Sequence, residues 1–349
     1  MTDTLAIGRL SLRQRQLVAG EILVGPYDLV IVAVSWEARN ATALQAIGGT
    51  TIETLMIRFE SPKPTVDAKK DASQAALEAL CPNNKILRLS RSIAFDKNST
   101  DLENELRDRF LAKGRPLRIL VDISCMPRSY LSFLCGLGFA NDYICRFDCL
   151  YSEGQYDMRG SPSPGGPLSI ISEGEWTSLQ IPYLEASETF PVERDLIVIL
   201  GGEIGYSLPF IERYEPNRLS IVFIRDGLDP EALTGSERAA YSELTSEPNL
   251  MREDFAINDM IGVVAHVWRF CTTDCGRPVI GLAIGSKAQS LALALAALDL
   301  DNLEVVCRIP SAYSDRDVEP SGRIFFYGIE DRFEPMSYLP EEPAKLAKA

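Results

Sequence analysis

The chain has 349 residues, of which 46% are hydrophobic and 24% charged, with a formal net charge of −14. This is a globular composition, long enough for two ordinary domains or one large one. The negative balance argues against duplex nucleic acid or an anionic membrane surface as partner, since both need a broad positive face. It leaves room for a small anion held by a few local cations.

The amino terminus shows no charged-then-apolar leader, and the apolar runs fall short of the ~20 residues a bilayer requires. Eight cysteines sit mostly in apolar segments, so the expected setting is reducing and cytoplasmic. Two C-x₃-C pairs, Cys145/Cys149 and Cys271/Cys275, have the look of metal half-sites. With a single histidine and no C-x-x-C knuckle, buried thiols are the better reading, and neither metal nor cofactor is expected.

Residues 1–26 read as an N-terminal extension. From Tyr27 the pattern is strand "YDLVIVAV", corner "SWEARN", helix "ATALQAIGG", strand "IETLMIRF", helix "TVDAKKDASQAALEAL" and strand "KILRLS". Helix "STDLENELRDRFLAKG" follows, then strand "RILVDI", corner "SCMPR", helix "SYLSFLCGLGFA" and strand "CRFDCLY". Continuous apolar runs alternating with helical stretches predict a parallel sheet covered on both faces.

From Arg194 the same order returns: "DLIVIL", corner "GGEIGYS", "LPFIERY", "LSIVFI", "DPEALTGSERAAYSELT", "EDFAI", "NDMIGVVAHVWRFC", "PVIGLAI", corner "GSKAQ", "SLALALAALDL" and "LEVVCRI". An overlay of the fourth-strand corners pairs Ile123 with Ile284, Ser124 with Gly285, Arg128 with Gln289 and Ser129 with Ser290. Each half ends in a Tyr-bearing loop and a last apolar segment, "PLSII" and "RIFFYGI". The expected fold is therefore α/β: two tandem Rossmann-like lobes with mainly parallel sheets, related by pseudo-duplication. The first lobe spans 27–172 and the second 194–331, with a linker at 173–193 and a tail at 332–349.

Two like lobes place their strand ends around a shared cleft, where ligands of open α/β sheets bind. Four corners are candidates. In "IGSKAQS", Gly285 permits a tight turn, Ser286 can donate to a phosphate, Lys287 brings a point charge, and Gln289 lies beside them; the alternative is a plain helix start with a surface lysine. In "LGGEIGYS", Gly201 and Gly202 allow close backbone approach, Glu203 is an acceptor and Tyr206 a stacking ring, or the stretch is merely a tightly packed turn. Neither corner matches a P-loop or a dinucleotide fingerprint.

In "VSWEARN", Ser35, Trp36 and Arg39 suit a nucleotide, Arg39 as phosphate clamp and Trp36 as stacking ring, while Glu37 equally well caps or pairs with Arg39. In "DISCMPRS", Asp122, Ser124 and Arg128 surround Cys125, whose place at a helix start predicts a lowered thiol pKa. His266, among apolar neighbours, reads as a satisfied core histidine, which removes the Ser-His-Asp hydrolases unless it serves.

Lobes with a polar corner after the first strand and a Gly-x-Lys helix start after the fourth resemble the CARF domains of CRISPR-associated proteins. The two-lobed chain is similar to the SAVED domains of bacterial antiviral systems. That resemblance implies a nucleotide or cyclic oligonucleotide ligand in a pseudo-twofold cleft, bound through Gly285, Ser286 and Lys287, in an antiviral sensor acting on a separate effector protein. The first lobe departs from it, because "ISCMPR" has no Gly-x-Lys. From the residues themselves two other readings stand: an enzyme hydrolysing or transferring a group on a nucleotide or nucleoside, with Glu37, Asp122 or Glu203 as acid or base and Arg39, Arg128 and Lys287 stabilising charge, or a non-catalytic interaction protein.

Overall fold

The computed structural model describes residues 3–18, 20–21, 23, 25–61, 63–155, 172–187, 193–200, 207–224, 235–246, 250–273, 277–313 and 317–332. The first half forms strands β3 (Leu29–Ala33), β4 (Thr54–Phe59), β5 (Asn84–Leu89), β6 (Leu117–Asp122) and β7 (Ile144–Gly154), interleaved with helices α1 (Thr42–Ala46), α2 (Pro64–Leu80), α3 (Phe95–Lys113) and α4 (Arg128–Ala140). The second forms β9 (Asp195–Ile199), β10 (Leu219–Ile224), β11 (Leu250–Phe255), β12 (Val279–Ala283) and β13 (Leu303–Tyr313), with α5 (Leu208–Tyr214), α6 (Gly235–Ser246), α7 (Met260–Thr273) and α8 (Lys287–Ala297). Both sets are parallel and share one order: β7-β6-β3-β4-β5 in one sheet, β13-β12-β9-β10-β11 in the other. The α/β class and the doubled strand order are thus as the sequence predicts.

The chain does not sort by halves, however. After β7 it crosses to the second sheet, where β8 (Ser172–Gln180) pairs antiparallel with β13; after β13 it returns, and β14 (Pro320–Asp331) pairs antiparallel with β7. The two halves exchange their last strands reciprocally, as partners in a twofold dimer do. The segment 1–26, read as an extension, supplies β1 (Asp3–Ile7) and β2 (Leu10–Gln16), which continue the first sheet beyond β14. Burial is the reason: Ile7, Leu10, Leu12, Phe325, Tyr327 and Ile329 all join the central core. The "PLSII" segment lies outside the described residues.

Period-two alternation gives each sheet two covered faces. In β3, Leu29, Ile31 and Ala33 enter the core shared by both halves, whereas Val30 and Val32 pack on the side of α1 and α2 with Leu44 and Leu77. In β9, Ile197 and Ile199 face the shared core, and Leu196 and Val198 meet Phe210 and Leu244 of α5 and α6. Helices α4 and α8 lie in the middle, buried from Ser129 to Phe139 and from Ala288 to Ala296. Being buried all round, they lack a polar stripe in sequence.

The overlay of the two corners needs a correction. Ile123 faces the shared core and Ile284 the opposite cluster, so pairing them is one residue out of phase, and a slip of one turns every side chain over. In register, Ile31 opposite Val121 corresponds to Ile197 opposite Gly281, which matches Ile123 with Ala283. The first corner is one residue longer, and Arg128 then corresponds to Lys287: each opens its helix. The overlay set Arg128 against Gln289; in register it stands against Lys287, a pair of cations at equivalent positions.

A cut within 156–171 leaves β8 with its partner β13 in the second fragment, but β14 of that fragment still pairs with β7 and β2 of the first, so the two fragments stay engaged. A protease site placed there and cleaved to completion is expected to yield two fragments that co-elute in size exclusion without denaturant. Elution as separate species contradicts the placement of β14 in the first sheet.

Candidate functional site

The carboxyl ends of β3, β6 and β12 meet at one place. The corner after β3 is folded by its own side chains: the Ser35 N–H donates to Asn40 Oδ1 (2.9 Å), and Asn40 Nδ2 donates to the Ala33 carbonyl (2.6 Å). The chain then enters a 3₁₀ turn, Ala38–Ala41, whose first N–H donates to Asp317 from the crossover that leads into β14 (2.6 Å). Arg39 is fully buried; its Nε donates to Glu37 (2.8 Å) and its Nη1 to the Ser152 carbonyl at the end of β7 (3.2 Å). Glu37 therefore pairs with Arg39, and Arg39 is not a surface clamp.

The corner after β6 is similarly self-satisfied in part. Ser124 N–H donates to Asp122 Oδ1 (2.9 Å), and Ser124 Oγ accepts from the Ser152 N–H (2.8 Å), which gives Ser124 a structural task. Asp122 is 2% exposed, and its Oδ2 is buried without a hydrogen-bond donor among the described residues. Burial raises its pKa to about 6, against the opposing pull of Ser124, Arg39 and Lys287. Cys125 was expected to ionise readily; instead burial, with Glu37 nearby, holds its thiol well above the usual range, so it is no thiolate nucleophile.

The two halves touch through cations. Arg128 Nη1 donates to the carbonyls of Ile284 and of Gly285 (2.6 Å for the latter), so its guanidinium holds the second half's corner rather than standing open. Gly285 is needed for packing, since a Cβ there would lie 2.7 Å from Ile199 Cγ2 and 3.3 Å from the Ile199 carbonyl. Ser286 caps α8: its Oγ accepts from Gln289 N–H (3.2 Å) and donates to the Ile257 carbonyl (2.6 Å). Gln289 is fully buried and donates to the Ala256 carbonyl (3.1 Å). Of the "IGSKAQS" residues, only Lys287 is left for a ligand.

Lys287 is half-buried, and its ammonium makes no hydrogen bond among the described residues. Its pKa is lowered to about 8, first by desolvation and then by Arg39; Glu37 and Cys125 act the other way, and Arg128 adds to the lowering. One lysine of the second half thus sits in the electrostatic field of four groups of the first. Trp36, half-buried, lies with Lys70 Nζ 5.7 Å from its ring centroid. Lys70 escaped the sequence reading; it is a buried lysine on α2 donating to the carbonyl of Phe59 at the end of β4 (2.6 Å), with a pKa lowered to about 8 by desolvation. A single lysine in a lysine-bearing helix carries no signal of that burial. Gly201, Gly202, Glu203 and Tyr206 lie outside the described residues.

His266 is a core histidine. Its Nε2 is 2.8 Å from Ser220 Oγ and its Nδ1 3.9 Å from Glu253 Oε1, a Ser-His-Glu line in form. Ser220 sits fully buried within β10, where no substrate reaches it, and burial lowers the histidine pKa. Cys145 and Cys149 stand four residues apart on one strand, ~13 Å by strand geometry, too far to share a metal. Cys275 lies outside the described residues.

No protein-family model and no curated protein matches the chain. Among solved structures, it is similar over 82% of its length to the cytoplasmic domain of a prokaryotic cation chloride cotransporter (7% identity, 96% of that chain, TM-score 0.25). It is similar over 81% to a protein described as a universal stress protein from Pseudomonas aeruginosa UCBPP-PA14 (10% identity, 94% of that chain, TM-score 0.23). Overlaps this loose carry nothing about function. No helix among the described residues is long and apolar enough to cross a membrane.

Asp122 has a folded pKa above its unfolded value, so its carboxyl favours folding below about pH 4 and loses that contribution as pH rises through about 6. Asp122→Asn keeps the acceptor for Ser124 and removes the buried charge. It is expected to match the wild type near pH 4 and exceed it by about 1–3 kcal/mol above pH 6 in denaturant titrations; an unchanged difference across that window refutes the assignment. Gly285→Ala is expected to cost about 1–3 kcal/mol in the same measurement, through the clash with Ile199.

Proposed function

We propose that the chain binds and senses a phosphate-bearing nucleotide or oligonucleotide at the cleft between its two halves, in the manner of the CARF and SAVED sensors it resembles, signalling to a separate effector protein in antiviral defence. The observation that carries this reading is Lys287: an ammonium from the second half with no hydrogen-bond partner among the described residues, crowded by Arg39 and Arg128 of the first. The carboxylate that favours its charge, Glu37, is already paired with Arg39. A phosphate beside Lys287 accepts its N–H donors, relieves the repulsion from both guanidinium groups and draws on cations in an otherwise acidic molecule. Trp36 offers a ring for a base at the end of the neighbouring strand.

One observation favours a second reading, a nucleotide-directed enzyme. Asp122 titrates near neutrality beside Lys287, the environment expected of an acid or base. Its full burial weighs against direct contact with substrate. Turnover of any nucleotide that is lost in Asp122→Asn while binding persists would favour this alternative.

The test is thermal stabilisation by ATP, cyclic di-AMP and a 5′-phosphorylated oligoadenylate. At least one is expected to raise the melting temperature, and Lys287→Ala, at a half-exposed helix start, is expected to abolish the rise while barely altering the unliganded protein. Affinity is expected to fall as pH rises through about 8, because the bound anion requires the protonated amine and binding takes up a proton. Absence of stabilisation by all three, or stabilisation undiminished in Lys287→Ala, sinks the reading.

A further inference from the structure

The residues of the α8 corner that proved structural lead somewhere. Ser286 and Gln289 flank Lys287, and both side chains are anchored on one short segment, the connection between β11 and α7: Ser286 Oγ on the Ile257 carbonyl (2.6 Å), Gln289 Nε2 on the Ala256 carbonyl (3.1 Å). The other side of that segment is held by the first sheet. Tyr327 of β14 donates to the Asn258 carbonyl (2.9 Å), and Gln14 of β2 donates to Asp259 Oδ1 (3.0 Å). Gln14 also accepts, through one oxygen, the N–H groups of Met260 and Ile261 (3.0 Å each), which are donors of the first turn of α7. Asp259 Oδ1 accepts a further N–H from Gly262 (2.8 Å).

The hairpin grips the far end of α8 as well. The β1–β2 turn at Gly8 has φ +47° and lies directly on Asp299, just past α8, leaving no room for a Cβ. Asp299 in turn accepts from Trp268 Nε1 of α7 (3.3 Å). Thus the amino-terminal hairpin touches the start of α7 and the end of α8, and the start of α8 carries Lys287.

We propose that the β1–β2 hairpin is the element that reports occupancy of the cleft, with Gln14 as the positioning residue that couples it to the Lys287 corner. This rests on the ligand reading given above. An anion that draws on Lys287 moves or stiffens the start of α8. Ser286 and Gln289 pass that change to residues 256–259, and Gln14 and Tyr327 pass it to the outer strands of the first sheet. The coupling needs no opening of the two halves, which the exchanged strands oppose.

Amide hydrogen exchange on the full chain tests this, with the same three nucleotide probes. In the wild type, binding is expected to slow exchange across residues 3–16 by at least about threefold, and in Gln14→Ala to bind within about twofold of wild type while the slowing disappears. Gln14→Glu, equal in size but unable to donate to Asp259, is expected to behave alike and serves if the alanine variant is poorly folded. Binding without slowing in the wild type, or slowing preserved in both variants, overturns the coupling and leaves the ligand reading intact. A failure of all three probes to bind removes the ligand reading and the coupling together. Independently of any ligand, Gln14→Ala and Ser286→Ala are expected to depart from additivity in the folding equilibrium by at least about threefold, and strict additivity counts against the coupling.

Discussion

The contact on which the site depends is the one between Arg128 and the carbonyls of Ile284 and Gly285. Those carbonyls belong to the residues that leave β12 for α8, and their oxygens point away from any intrahelical partner. A guanidinium from the opposite half supplies the missing donors, in a partly buried place where leaving them unmade would cost about 1–3 kcal/mol. By meeting them, Arg128 fixes the second corner against the first and holds Lys287 within range of Arg39 and Glu37. Its counterpart by structural register, Lys287, performs no such task. Equivalent positions in a doubled fold have separated into a clamp and a half-buried charge.

That division only works because the halves cannot drift. Reciprocal exchange of β8 and β14 makes each sheet partly the property of the other half, and α4 and α8 are buried from Ser129 to Phe139 and from Ala288 to Ala296. In such a frame the charges of the corners are already close, and Arg39 and Arg128 act against the charge of Lys287. Desolvation comes first in lowering the pKa of Lys287, with Arg39 and Arg128 adding to it, whereas Lys70 is lowered by its own burial on α2.

What could be read from sequence followed physical rules that are local. Apolar strands such as "LVIVA" and "LIVI", each followed by a polar corner and a helix, fix the parallel order because no other arrangement covers both faces. Corners at strand ends named Arg39, Asp122, Arg128 and Lys287, and these are the residues found together. What was illegible depends on distant partners. The antiparallel pairing of β14 with β7 crosses some 170 residues of chain, and nothing in "RIFFYGI" says which sheet it joins. The phase of the overlay was missed because helix starts and strand faces shift independently when one corner gains a residue. Ser286 and Gln289 resembled ligand donors because a helix cap and an anion site draw on the same residue types.

The same ambiguity clarifies the charge balance. An acidic chain that needs to hold its own corners together must bury cations to do so, and Arg39 and Arg128 are both occupied by internal acceptors: Glu37 and Ser152 for one, two backbone carbonyls for the other. Structural cations alone would explain a positive corner in a negative protein without any ligand. They do not explain Lys287, whose burial and whose neighbours Arg39 and Arg128 disfavour its charge against the pull of Glu37, and whose ammonium meets no acceptor among the described residues. A lysine in such a place is tolerable because it is half-exposed to water, where its ammonium keeps part of its hydration.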